Sequence, residues 1–197
     1  MTTALLHIDV TLKGSAPLLM HNERLANHFD PYAQAIKKIT AKRSKQTDEE
    51  RLEVLHLEWQ GGLYLSETLG PYIPGANLKK CIMEAASLFK GGTAVKRALT
   101  PCEAEIPLIY AGPRDMEGLW ETKTFVDIRS IKLNGRTKVS RARPRFEKWG
   151  LETSVFLNTS ALSLDDFLQF INQAGATTGL GDYRPTFGRF LSETKVR

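Results

Sequence analysis

Cysteine is scarce: Cys81 and Cys102 are the only two in 197 residues. Two isolated thiols cannot build a disulfide framework, and they lack the clustered spacing of a zinc site. Cys81 falls in an apolar helical pattern, which predicts a buried free thiol. A reducing cytoplasm follows as the compartment. Long apolar runs are missing as well, since no stretch approaches the roughly 18 residues that a membrane span needs. The opening Met1-Thr2-Thr3-Ala4-Leu5-Leu6-His7-Ile8-Asp9-Val10 has no basic segment before its apolar run, which breaks at Asp9. It predicts a strand and not a signal peptide. There is no nucleophile elbow, no HExxH and no DxD metal pattern, and the carboxylates are scattered. Nothing compels an enzyme, and no cofactor or metal is expected. Internal repeats and low-complexity tracts are absent too.

What remains is the composition of an ordinary globular domain, with 42% hydrophobic residues and a mean hydropathy of -0.27. The length suffices to bury a core without disulfides or metals. The net charge of +5 is moderate, so where the cations gather matters more than their total.

Periodicity gives a coarse map. Residues 5–12 alternate as a half-buried strand does, and residues 15–22 continue extended through Pro17. Asp30 before Pro31 predicts a capped helix carrying Tyr32, Ala35, Ile36 and Ile39. Thr47 to Glu50 has the form of a capping box, opening a helix toward Trp59 that Gly61-Gly62 ends. A short strand over 63–65 and a proline turn over 71–75 come next. Leu78, Cys81, Ile82, Ala85, Ala86 and Phe89 then form the stripe of a helix closed by Gly91-Gly92. A strand is expected over 104–110 and a loop over 111–120. Strands over 125–133 and 137–142 flank Asn134-Gly135-Arg136, a hairpin signal, and another strand covers 151–157. Ser163 caps a helix with Leu164, Phe167, Leu168 and Ile171 as its stripe, ended by Gly175. A last strand begins at Gly188. Helices and strands mix without strict alternation, which predicts an α+β fold with an antiparallel sheet. Residues 27–59 read as a helical insertion and residues 125–148 as a basic hairpin.

Two segments carry chemistry. From Gly179 to Phe190 there are three glycines, two arginines and three aromatics in twelve residues. Glycine lets a backbone lie against a ligand, and a guanidinium fork suits phosphate. A dinucleotide or P-loop motif follows a strand and opens a helix, but this loop follows a helix and opens a strand, so those readings are excluded. The second segment holds Arg129, Lys132, Arg136, Lys138, Arg141, Arg143, Arg145 and Lys148, with Glu147 as its single acid. In an extended chain Arg141, Arg143 and Arg145 project from one face about 7 Å apart, a spacing that tracks a sugar-phosphate backbone. Phe146 and Trp149 offer rings for base stacking. A solvated, salt-bridged hairpin competes with this reading, but it needs acidic partners that the segment lacks.

Other clusters say less. Five basic residues lie between Lys37 and Lys45, spread around a helix as a solvated face. His21 and His28 flank Glu23 and Asp30, but their spacing crosses a strand-to-helix junction and implies no metal geometry. His7 and His56 read as structural.

The loop Gly179-Leu180-Gly181 through Phe187-Gly188-Arg189-Phe190 resembles the C-terminal glycine-rich loop of the repeat-associated mysterious protein (RAMP) superfamily, the RNA-binding subunits of CRISPR effector complexes. Gly14-Ser15-Ala16-Pro17-Leu18 and Ile73-Pro74-Gly75 are similar to segments of the same family. The resemblance touches both ends and the middle of the chain through short motifs. It implies one or two ferredoxin-like, RRM-related folds, within a single RAMP-like domain over 1–197, that bind single-stranded RNA with the loop against the backbone. Members that assemble along RNA use a protruding hairpin, a part the Asn134-Gly135 hairpin would play. The pattern also resembles proteins carried by phages and prophages, which admits single-stranded DNA as a ligand.

Together these readings predict a non-catalytic single-stranded nucleic acid binder, RNA favoured, that self-associates along its ligand or joins a larger complex, with no membrane partner. Arg129, Lys138, Arg141, Arg143, Arg145, Arg184 and Arg189 form the cationic contacts. Gly179, Gly181 and Gly188 give backbone approach, and Tyr183, Phe187 or Trp149 stack on bases. The alternatives are a metal-independent endoribonuclease using His21 or His28, and an assembly module in which the glycine loop only builds a tight turn.

Overall fold

The computed structural model describes residues 5–42, 46–133 and 137–197. Met1 to Ala4, Arg43, Ser44 and Lys45, and the Asn134-Gly135-Arg136 turn lie outside the described residues. The strands are β1 (Leu5–Gly14), β2 (Leu18–Leu19), β3 (Leu65–Ser66), β4 (Gly70–Pro74), β5 (Leu99–Pro101), β6 (Glu105–Ile109), β7 (Val126–Leu133), β8 (Thr137–Phe146), β9 (Gly150–Asn158) and β10 (Phe190–Val196). The helices are α1 (Pro31–Thr40), α2 (Asp48–Gly62), α3 (Gly75–Ser87), α4 (Gly92–Ala98), α5 (Met116–Thr122) and α6 (Leu164–Gln173). The fold is α+β, as the mixed pattern predicts, and it divides into two compact units.

The first unit takes the chain up to Leu18, then Ser66–Ala111 and Phe146–Arg197. Its sheet runs β10-β1-β9-β6-β4-β3, with β5 pairing β9 off the path. The pairings of β1 with β9 and β10, and of β6 with β9 and β4, are antiparallel. β1 shows why one face closes: Ile8, Val10 and Leu12 are buried while Thr11 and Lys13 are exposed, the period of two that a one-sided sheet requires. α3 and α6 supply the other half of the core. Leu78, Cys81, Ile82 and Ala85 repeat at helical spacing on α3, and Phe167, Phe170 and Ile171 on α6, all buried. Ser163 caps α6 by accepting from the Asp166 N–H.

The second unit comprises Leu19–Leu65 and Gly112–Arg145. It holds α1, α2 and α5, and β7 and β8 of a three-stranded sheet ordered β2-β8-β7. Asp30 caps α1 through the Tyr32 N–H, and Thr47 and Glu50 form a complete capping box on α2. Trp59 is fully buried, and its indole N–H donates to the Phe125 carbonyl. β7 and β8 pair from Val126↔Pro144 to Leu133↔Thr137, an antiparallel ribbon.

Three local expectations fail, wholly or in part, for identifiable reasons. Residues 71–75 form no proline turn: β4 pairs with β6 through Tyr72, Ile73 and Pro74, and Ile73 is buried. Tertiary pairing outweighs the local turn signal, because proline surrenders a donor but keeps its carbonyl. Of the Gly91-Gly92 pair only Gly91 closes α3, its N–H donating to the Ala86 carbonyl at 2.8 Å, while Gly92 starts α4. The expected loop at 111–120 contains the start of α5, which Asp115 caps through the Gly118 N–H.

Candidate nucleic-acid interface

The glycine loop sits where the sequence places it, between α6 and β10. α6 runs into a wide turn, Ala174–Thr178, after which Gly179 takes φ +78°. The loop then closes on itself. The Leu180 N–H donates to Gly188 O at 2.8 Å, and the Gly188 N–H donates to Pro17 O at 2.8 Å. Gly188, at φ +75°, has its Cα turned toward this closure, and a Cβ there would lie 1.7 Å from Leu180 O. A Cβ on Gly179 would lie 2.7 Å from Phe187 O. At these two positions the missing side chain lets the loop's own strands approach, not a ligand. Gly181 shares the left-handed backbone at φ +80°.

Closure turns one set of side chains outward. Tyr183 is 45% exposed, and Arg184 and Arg189 are exposed. Phe187 is half-buried, edge-on to Tyr183 at 6.0 Å, while Phe190 is buried in the unit's core. Arg184 is committed: its guanidinium donates to Glu84 on α3 at 2.7 Å. A groove of about 630 Å³ runs beside the loop, lined by Glu84, Leu88, Thr177, Tyr183, Arg184 and their neighbours. Beneath it the Cys81 thiol donates to Gly179 O at 3.0 Å. Burial pushes that thiol up to about 12, so it stays protonated and acts as a donor. Cys102 is exposed.

Trp149 and Phe146 offer no open ring. Trp149 is 4% exposed, with its indole N–H donating to Ala16 O at 2.8 Å and its ring edge-on to Phe190. Phe146 is fully buried and edge-on to Tyr110.

The arginine strand belongs to the second unit. Along β8, Arg141, Arg143 and Arg145 are half-buried and alternate with buried Ala142 and Pro144, so the three share a face. The register sets Arg129 opposite Arg141 and Asp127 opposite Arg143. This face does not lack acids. The Arg129 guanidinium makes two hydrogen bonds to Asp127, and Arg141 pairs with Glu58 of α2. Glu58 is buried and also accepts the Ala142 N–H at 3.3 Å. The acidic partners that residues 129–148 lack come from just before the segment and from a distant helix. Lys138 is exposed on the same strand.

A cavity of about 470 Å³ opens beside this strand within the second unit. Its lining includes His21, Lys37, Glu58, Arg141 and Arg143, with Leu25, Ala33 and Ile36 as an apolar side. Lys37 therefore does more than solvate a helix face, and Glu58 is a site residue for which no local sequence signal exists. His28 is exposed on the connection into α1, and the cavity lining does not include it. Asp30 nearby is buried, which alone would raise its pKa. Hydrogen bonds from Arg24 and the Tyr32 N–H outweigh that, and the carboxyl sits below its usual range. His56 stacks on Trp120 at 4.1 Å, and burial with Lys123 nearby holds its imidazole below the usual value. His7 stacks on Phe156 at 4.8 Å. Among the described residues no three His, Cys, Asp or Glu side chains gather as a metal site. No helix among them is long and apolar enough to cross a membrane.

No protein-family model and no curated protein matches the sequence. Solved structures do match in fold. A chain in the cryo-EM structure of the Type III-B Cmr-beta bound to cognate target RNA superposes with a TM-score of 0.54 at 10% identity. That match covers 98% of this chain, which spans 60% of the length of the other. Cmr6 from Pyrococcus furiosus matches with a TM-score of 0.41, also at 10% identity, over 96% of this chain and 99% of Cmr6. The likeness to the Cmr-beta chain is one of fold alone.

Proposed function

We propose that this chain is a non-catalytic, sequence-tolerant RNA-binding subunit of a CRISPR-like ribonucleoprotein assembly. The observation that carries the reading is the face of β8 on which Arg141, Arg143 and Arg145 alternate, in a chain sharing its fold with a protein of a target-RNA complex. In this reading the path β10-β1-β9-β6, with α3 and α6 as its two crossovers, is a ferredoxin-like core within one RAMP-like domain. Residues 27–59 are its helical insertion and residues 125–148 its basic hairpin. Arg143, Arg145, Lys138 and Arg189 neutralise phosphates. Tyr183, the most open ring of the loop, stacks on a base, a contact of about 1–3 kcal/mol. Copies of the chain associate along the strand.

The test is the ratio of absorbance at 260 and 280 nm of protein purified at low salt, followed by RNase or DNase treatment. Co-purified RNA supports the reading, and DNA redirects it to single-stranded DNA. A clean protein that also fails to bind labelled single strands at low salt removes it and leaves the assembly module.

One observation favours a second reading, a metal-independent endoribonuclease: His21 lines the same cavity as Lys37 and Arg143, where an imidazole and cations flank one space. Cleavage that survives EDTA and disappears in His21→Ala is its signature.

A further inference from the structure

The cavity of the second unit has a composition that backbone tracking along a strand does not need. Its lining carries three permanent cations, Lys37, Arg141 and Arg143, against one carboxylate, Glu58. Glu58 is already engaged by the Arg141 guanidinium and the Ala142 N–H, so the lining attracts anions. Apolar side chains line the cavity too. Leu25 comes from the turn Glu23–Ala26, and Ala33 and Ile36 come from successive turns of α1. Its volume, about 470 Å³, falls within the range of roughly 300–1,000 Å³ typical of small-ligand sites. Cations set beside apolar side chains in one lining suit a ligand that joins an anionic group to a flat apolar body.

We infer that this cavity binds a single nucleotide, its phosphate held by Lys37 and Arg143 and its base laid against Leu25, Ala33 and Ile36. Glu58 fixes Arg141 at the edge of the phosphate site, so the pair acts as a positioning element there. The inference rests on the nucleic-acid reading, since it borrows Arg141 and Arg143 from the same face. The nucleotide has two sources, a free mononucleotide or the phosphorylated end of a strand. The chemistry recognised is the same in both.

Two measurements on the full chain separate the sources. Calorimetry with AMP reads the free nucleotide. Fluorescence anisotropy with one RNA oligonucleotide, with and without a 5′-phosphate, reads the strand end. Each is repeated with Lys37→Ala, a change at an exposed position, and with Ala33→Phe, which fills the apolar side and leaves every charge in place. Thermal melts establish that both variants are folded. A free nucleotide as ligand predicts AMP binding that weakens by at least about tenfold in Lys37→Ala and is lost in Ala33→Phe. A strand end predicts tighter binding of the phosphorylated oligonucleotide, a gain that both variants remove. AMP binding or a 5′-phosphate gain that both variants leave unchanged overturns the pocket. So does wild-type protein that binds the unmodified oligonucleotide, ignores AMP and gains nothing from the 5′-phosphate, and there the reading of function stands. Failure to bind any oligonucleotide sinks that reading, and the AMP arm alone then decides the cavity.

Discussion

Glu58 on α2 accepts the guanidinium of Arg141 on β8, its partner 83 residues further along the chain. The same carboxylate takes the backbone N–H of Ala142, so one buried side chain holds both an arginine and the strand that carries it. The relationship changes what the arginine row can offer. Arg141 enters the face already neutralised, and so does Arg184 in the other unit, through Glu84.

Salt dependence of single-strand binding measures this directly. Five contacts from Arg141, Arg143, Arg145, Arg184 and Arg189 give a log K against log[salt] slope of roughly -3.5. Arg141 and Arg184, kept by their carboxylates, make the slope shallower by about 1.4. A titration of a labelled oligonucleotide across a salt series checks the value. A flat response removes the electrostatic part of the proposal.

Glu58→Ala leaves the Ala142 N–H and the Arg141 guanidinium without their acceptor inside a packed unit. We expect a loss of about 1–3 kcal/mol of stability, read by urea unfolding. Glu58→Gln keeps an acceptor for the N–H and loses less. Equal stability of all three proteins contradicts the pairing.

Gly188→Ala places a Cβ in a left-handed backbone and against Leu180 O. The cost expected is about 2 kcal/mol or more, while Thr186→Ala, at an exposed loop position, is expected within about 0.5 kcal/mol of the parent. Thermal melts of both variants compare a backbone requirement with a surface change in one loop.

Acid should weaken the second unit through Asp30. Its carboxyl lies below the usual range in the fold, and unfolding returns it to about 3.9. The folded state therefore prefers the ionised form, and this stability is present above about pH 4 and drains away as pH falls through the lower, folded value. Asp30→Asn keeps a side-chain cap for the Tyr32 N–H but loses the charge facing Arg24. Its stability should fall less steeply between about pH 5 and pH 2 than that of the parent, as followed by urea unfolding at stepped pH.

Where a signal is local, the sequence carried it. Ser163 with its apolar stripe announces α6, Asp30-Pro31 announces α1, and the loop between the last helix and last strand stands where its glycines put it. The alternation of Arg141, Arg143 and Arg145 likewise survives as a shared face, because the two-residue period belongs to the strand itself. Long-range relationships were invisible. Nothing near Arg141 points to Glu58, and nothing beside Trp149 says that its indole N–H will meet Ala16 O. Trp149 reads as an open ring only while its surroundings are unknown. β4 failed for a related reason: Pro71 and Pro74 give a strong local turn signal, and only the partner strand β6 overrides it. Lys37 is exposed, as a solvated helix face requires, and it also borders a cavity that residues from elsewhere in the chain help to line.

β1 lies between β9 and β10, the two strands furthest along the sequence among the described residues. During synthesis its apolar side, Ile8, Val10 and Leu12, therefore has neither neighbour in the sheet until nearly all of the first unit has been translated. The residues of the second unit, by contrast, have all been translated before β9 begins. Such distant pairing is slow to form and leaves strand edges open meanwhile. The first unit's sheet is complete only once β10 has been translated, so a nascent chain stalled inside the glycine loop holds a β1 whose edge lacks its β10 partner.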